Sequence, residues 1–152
     1  MDREQKDSPR QATKTHGPQD VWARIEAFHG VMIGLLREFE ATTDPVRIRE
    51  LVGTLDEDLP GHFADEVGPG GLFDDLAARR PASEPILEYL RNDHGEILDM
   101  VRALHRRLRE SNPDQARILA GKRALLDKLR SHEQSENRLV IDTYRIDEGG
   151  MG

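Results

Sequence analysis

Six residues carry the chemistry that this sequence can support: His29, His62, Glu66, His94, His132 and Glu136. Two of the histidines are followed one helical turn later by a glutamate, as His62-x-x-x-Glu66 and His132-x-x-x-Glu136. Residues four apart on a helix sit one above the other, so each pair can aim an imidazole nitrogen and a carboxylate at one point. Nitrogen and oxygen donors without thiolate suit iron, manganese or zinc, and carboxylates shared between sites suit a pair of ions.

The pattern gains its specificity from the apolar residues around it. Trp22, Ile25, His29, Met32, Leu36 and Phe39 recur at alternating spacings of three and four. So do Ile48, Val52, Leu55, Leu59, His62 and Glu66, and again Leu87, Leu90, His94, Ile97, Val101, Leu104 and Leu108. The last stripe is Ile118, Lys122, Leu125, Leu129, His132, Glu136 and Leu139. Such a stripe faces a bundle interior. Each of four helices therefore turns one histidine inwards, and the second and fourth add a glutamate. A lone histidine on an apolar face is an ordinary core residue, but this set is not. Buried carboxylates without a partner are costly or become protonated, so two of them in one cavity call for a compensating cation.

The elements that position these residues follow from helix-capping signals. The first helix is expected from about Asp20 to Glu40. Asp44-Pro45 supplies a cap and a first-turn proline for the second, which runs to about Glu66 and stops at Gly68-Pro69-Gly70-Gly71. Leu72 to Leu76 is read as one further turn. Ser83-Glu84-Pro85 opens the third helix, to about Glu110, and Asn112-Pro113-Asp114 opens the fourth, ending near Ile141 or Tyr144. No segment shows strand periodicity. The expected fold is all-α, an up-down-up-down antiparallel four-helix bundle over residues 20–146, with a disordered tail at 1–19 and a flexible C-terminus at 147–152.

Composition narrows the function classes. No run approaches 18 apolar residues, which excludes a membrane span, and the first twenty residues lack the apolar stretch of a secretory signal. The absence of cysteine removes disulfides, thiolate metal sites and cysteine nucleophiles, and makes the cytoplasm the expected compartment. A net charge of −7 without a basic, aromatic-laced stretch argues against nucleic acid as partner. His132-Glu133-x-x-Glu136 departs from the zinc-protease helix in having Glu where the second His belongs, and only Glu26-x-x-His29 has the order of the ferritin-like dinuclear pattern. His16 falls in the expected tail. His105 lies about 16 Å along the helix from His94, too far to join it, and Arg102, Arg106, Arg107 and Arg109 read as a solvated face.

On His29, His62-Phe63-x-x-Glu66, Asp93-His94-Gly95-Glu96-Ile97 and His132-Glu133-x-x-Glu136-Asn137-x-Leu139, the sequence resembles the hemerythrin-like proteins of the HHE cation-binding family. The resemblance implies a non-haem centre of two iron ions in a four-helix bundle. Glu66 and Glu136 would be the bridging carboxylates, and His29, His62, His94 and His132 the terminal ligands. Two departures leave such a centre a ligand short. Leu98 stands where oxygen carriers have a second histidine on the third helix, and Phe63 stands where some relatives have a carboxylate. Solvent, Glu26, Asp65, Glu133 or Tyr89 would complete the set. The expected ligand is oxygen, nitric oxide or a peroxide, for sensing or handling, in a pocket lined by Met32, Leu36, Leu90 and Ile97. A peroxidase, oxidase or nitric oxide reductase is the second reading, with Tyr89 or Glu133 as proton donor, and a structural metal such as zinc is the third. One register problem remains. His29 lies about 13 residues before the first turn and His62 about 20 after it, a mismatch of roughly 10 Å that a longer loop through 41–47 or an irregular start to the second helix would absorb.

Overall fold

A computed structural model describes residues 18–149, with side chains from 21 to 145. Five α-helices follow one another: α1 (Pro18–Ala41), α2 (Pro45–Val67), α3 (Leu72–Arg79), α4 (Glu84–Leu108) and α5 (Gln115–Gly149), with a single 3₁₀ turn at Pro81–Ser83. The four long ones form the expected up-down-up-down bundle. Each packs antiparallel on the next, and α5 returns to α1 to close the ring. No helix among the described residues is long and apolar enough to cross a membrane. Of the tail expected at 1–19 and the C-terminus expected at 147–152, residues 1–17 and 150–152 lie outside the described residues, while 18–19 belong to α1 and 147–149 to α5.

The helix starts obey the capping signals. Asp44 accepts a hydrogen bond from the Val46 amide at 3.1 Å, and Asp114 accepts from Ala116 at 3.0 Å. Only three residues join α1 to α2, and the buried Lys122 fixes them by donating to the carbonyls of Glu40 at 3.2 Å and Thr42 at 2.6 Å. Gly70 makes the sharp turn after α2 at a φ of 72°, and any side chain at Gly71 would collide with the Asp65 carbonyl.

Two elements exceed their expected lengths, for tertiary reasons. The turn at Leu72–Leu76 is a full helix, α3, which buries Leu72, Phe73 and Leu76 across one end of the bundle. Helix α5 runs to Gly149 rather than stopping near Ile141 or Tyr144. Thr143 is buried there, and the Tyr144 hydroxyl donates to Asp75 of α3 at 3.1 Å.

The core is divided. One apolar cluster, including Met32, Phe39, Leu55, Ile97 and Leu129, fills the end near the α1–α2 and α4–α5 turns. A second, with Ile25, Phe73, Leu87, Leu90 and Leu139, fills the other end beneath α3. Between them, on every long helix, lies the histidine and glutamate layer.

Candidate metal centre

Aromatic rings hold the imidazoles in place. Phe63 lies flat on His94, with centroids 3.9 Å apart and planes within 7°. Phe73 of α3 stacks on the same ring at 5.5 Å, and Phe28 of α1 stacks on His62 at 4.2 Å. Packing of this kind selects one rotamer for each histidine, the preorganisation that a ligand set requires.

The histidines form two pairs. His94 and His132 stand edge to face at 4.8 Å between centroids, and His29 and His62 do the same at 4.8 Å. The two carboxylates lie between the pairs. Glu66 places Oε1 3.2 Å from His62 Nε2 and 3.5 Å from His94 Nε2, and turns Oε2 towards His29 Nε2 at 3.9 Å. Glu136 places Oε2 3.3 Å from His132 Nε2 and Oε1 3.4 Å from His29 Nε2. Each carboxylate therefore faces both histidine pairs. A seventh residue joins them: Glu133 Oε2 lies 3.6 Å from His29 Nε2. Ligand atoms of Glu66, His94, His132 and Glu136 lie within 4.8 Å of one another, as do those of His29, His62 and Glu133. By donor chemistry and spacing these are two adjoining candidate cation sites.

The donor atoms lack other partners. Glu66 and His132 are fully buried and Glu136 nearly so. Nine buried side-chain atoms of this cluster have no hydrogen-bond partner, and among the described residues only Thr143 Oγ1 shares that condition. Buried polar groups are nearly always satisfied, so a concentration of orphans at one point marks a missing partner. Burial, reinforced by the neighbouring Glu66, pushes the Glu136 carboxyl up to about 7. Burial also raises Glu133. His94 is driven the other way, to about 3, by burial first and then by the adjacent His132. His132 loses ground to burial, but Glu136, Glu66 and Asp93 more than offset this and raise it. Burial disfavours the charged forms of Glu136, Glu133 and His94, and a cation placed among these donors would relieve the carboxylates.

Asp93 orients this site from behind. Its Oδ2 lies 3.3 Å from His132 Nδ1, and its Oδ1 is held by Lys128 at 2.7 Å. A carboxylate on Nδ1 fixes the tautomer that leaves Nε2 free to face Glu136.

All six residues singled out by the sequence converge. Of the four groups expected to complete the set, Glu133 alone reaches it. Asp65 is engaged by Arg24 at 2.9 Å, Tyr89 is exposed, and Glu26 lines the cleft beside the centre without joining either donor group. Leu98 packs against the apolar core, and Phe63 supports His94 by stacking. His105 is remote, as expected, and pairs with Asp56 at 3.1 Å.

The His29–His62 register closes by neither expected route, since the α1–α2 loop is short and α2 starts regularly. Helical side chains lean towards the N-terminus of their helix. In an antiparallel pair His29 therefore leans away from the turn and His62 towards it, so both leans reduce the mismatch. The pocket also differs from expectation. A cleft of about 630 Å³ runs between α1 and α5, lined by Met32 and Leu36 and reaching His29, Glu133 and Glu136. Leu90 and Ile97 instead sit in the closed core on α4.

A family model for the hemerythrin HHE cation binding domain matches residues 20–144. No curated protein and no solved structure matches the chain.

Proposed function

The chain belongs to the hemerythrin HHE cation-binding family, and from that premise we propose that it is a non-haem di-iron protein that binds oxygen, nitric oxide or a peroxide for sensing or handling. One ion would be held by His94 and His132, the other by His29, His62 and Glu133, with Glu66 and Glu136 shared. The observation that carries this reading is the placement of the two carboxylates, each with oxygens towards both histidine pairs. A pair of iron ions supplies reversible electron transfer to a small ligand, and the all-nitrogen-and-oxygen donor set suits it.

The two positions differ in access. His94 and His132 are enclosed by Phe63 and Phe73, whereas His29 is about 30% exposed and adjoins the α1–α5 cleft with Glu133. The small ligand would enter there. The apolar walls at Ile25, Met32 and Leu36 limit the water that accompanies it. In place of serving as a ligand, Glu133, whose Oε1 is buried without a partner and whose carboxyl burial raises, would hold a proton beside the entering ligand. That feature favours the second reading, a peroxidase, oxidase or nitric oxide reductase with Glu133 as proton donor. Manganese or zinc would serve the same donors, zinc without redox chemistry. The cysteine-free composition suits a cytoplasmic setting.

The test is to load the chain with ferrous iron anaerobically and expose it to oxygen or nitric oxide while recording visible absorption. New charge-transfer bands that Glu133→Ala perturbs support ligand binding at the cleft side. A spectrum indifferent to both gases contradicts it. Steady peroxide turnover by the wild type, reduced at least tenfold in Glu133→Gln, selects the enzymatic reading.

A further inference from the structure

The α1–α5 cleft is far larger than a diatomic ligand needs. It measures about 630 Å³, against the roughly 30 Å³ that one water takes up in the liquid, and it falls in the range of sites that hold whole organic molecules. Its lining is ordered along its length. At one end Trp22, Ile25, Leu72 and Val140 make an apolar wall, and at the other stand Arg37 and Arg130. Met32, Ile33 and Leu36 continue the apolar surface between His29 and Arg37. From Trp22 to Arg37 the groove follows α1 for about 22 Å, at 1.5 Å per residue. Arg130 is committed to Glu40 at 2.6 Å, but Arg37 has no ion-pair partner among the described residues. Ile33 is more than half exposed beside it.

We infer that this groove binds an extended amphipathic anion of the long-chain fatty carboxylate class, its head on Arg37 and its chain laid over Leu36, Ile33 and Met32, past His29 and Glu133, towards Trp22. The trough is mostly apolar, with Glu26, Glu133 and Glu136 on its lining away from Arg37, so an anionic end is accepted only at the unpaired Arg37 and the rest of the molecule must be apolar. A free arginine guanidinium is the side chain best shaped to take a carboxylate through two parallel hydrogen bonds. The chain's net charge of −7 repels anions in general, so such binding requires this local contact. The binding concerns the groove alone and stands whether or not the adjoining centre holds iron.

Trp22 is the chain's one tryptophan, so its emission reports on the apolar end of the groove directly. The full chain is titrated with hexadecanoate below its micelle concentration, following Trp22 fluorescence and binding heat, with metal content measured on the same samples. The expected result is one equivalent bound with a saturable change in Trp22 emission. Arg37→Gln should weaken binding about tenfold, and Ile33→Glu, an exposed position, should abolish it, both with unchanged metal content and helicity. Binding that leaves Trp22 unchanged, or that both variants retain at wild-type strength, overturns the inference. Protein that holds no iron after iron loading yet binds hexadecanoate contradicts the di-iron proposal and leaves the groove assignment standing.

Discussion

Glu136→Gln should make the metal-free protein more stable while removing its ability to hold metal. Glu136 is almost wholly buried, and burial together with Glu66 raises its carboxyl from 4.5 to about 7. A carboxyl raised on folding contributes its full stability below the unfolded value and loses it as the pH climbs through the folded one. From 4.5 to about 7 is some 2.5 units, which at 1.36 kcal/mol per unit is about 3 kcal/mol of destabilisation by pH 8. At pH 5 the same linkage leaves less than about 1 kcal/mol. Glutamine keeps the shape without the charge. Chelator-treated Glu136→Gln should therefore melt roughly 6–12 °C above the treated wild type at pH 8, taking about 2–4 °C per kcal/mol for a chain of this size. The gap should largely close at pH 5. His94 loses stability towards acid in both proteins and cancels to first order. Circular dichroism of the helices against temperature reads the difference. Added metal should reverse the order by stabilising only the wild type. A variant that melts below the wild type at pH 8 when metal-free, or a gap independent of pH, would refute the reasoning that these carboxylates are strained without a cation.

Three other outcomes follow from the same geometry. Asp93→Asn removes the carboxylate that fixes the His132 tautomer, and chelator competition should show metal affinity lower by about 10–100-fold. Metal retention should weaken below pH 7, by about tenfold per pH unit where the proton on Glu136 is the competitor, as measured by dialysis against buffers of falling pH. Phe63→Ala takes away the ring stacked on His94 and should cost about 3–5 kcal/mol in urea unfolding of the metal-free chain, and an unchanged midpoint would contradict the supporting role given to it.

The centre was legible in the sequence to the extent that helical periodicity decides which residues share a face. His62 with Glu66 and His132 with Glu136 are separated by one turn, and alternating spacings of three and four place each on the inward stripe. Glu133 and Asp93 are harder to assign, because each is the immediate neighbour of a seam histidine. Bundle helices bury a stripe wider than its central seam, and both residues use the flank of that stripe. Glu133 turns towards His29 on α1, and Asp93 turns towards His132 on α5. The length of α3 and the extension of α5 depend on contacts between distant segments, such as Tyr144 with Asp75, which no local signal announces. The cleft was equally hidden. It arises because α1 and α5 close the ring with less contact than the other neighbouring long helices make, which is a property of the assembled bundle rather than of either helix.

Metal content per chain tests the central claim most directly, by elemental mass spectrometry on untagged protein produced in iron-supplemented medium. The account predicts about two irons per chain, falling to less than half of that in Glu66→Ala and in Glu136→Ala with helicity preserved. Substoichiometric metal that neither substitution changes would contradict it, and would leave the buried histidines and glutamates as a structural polar network.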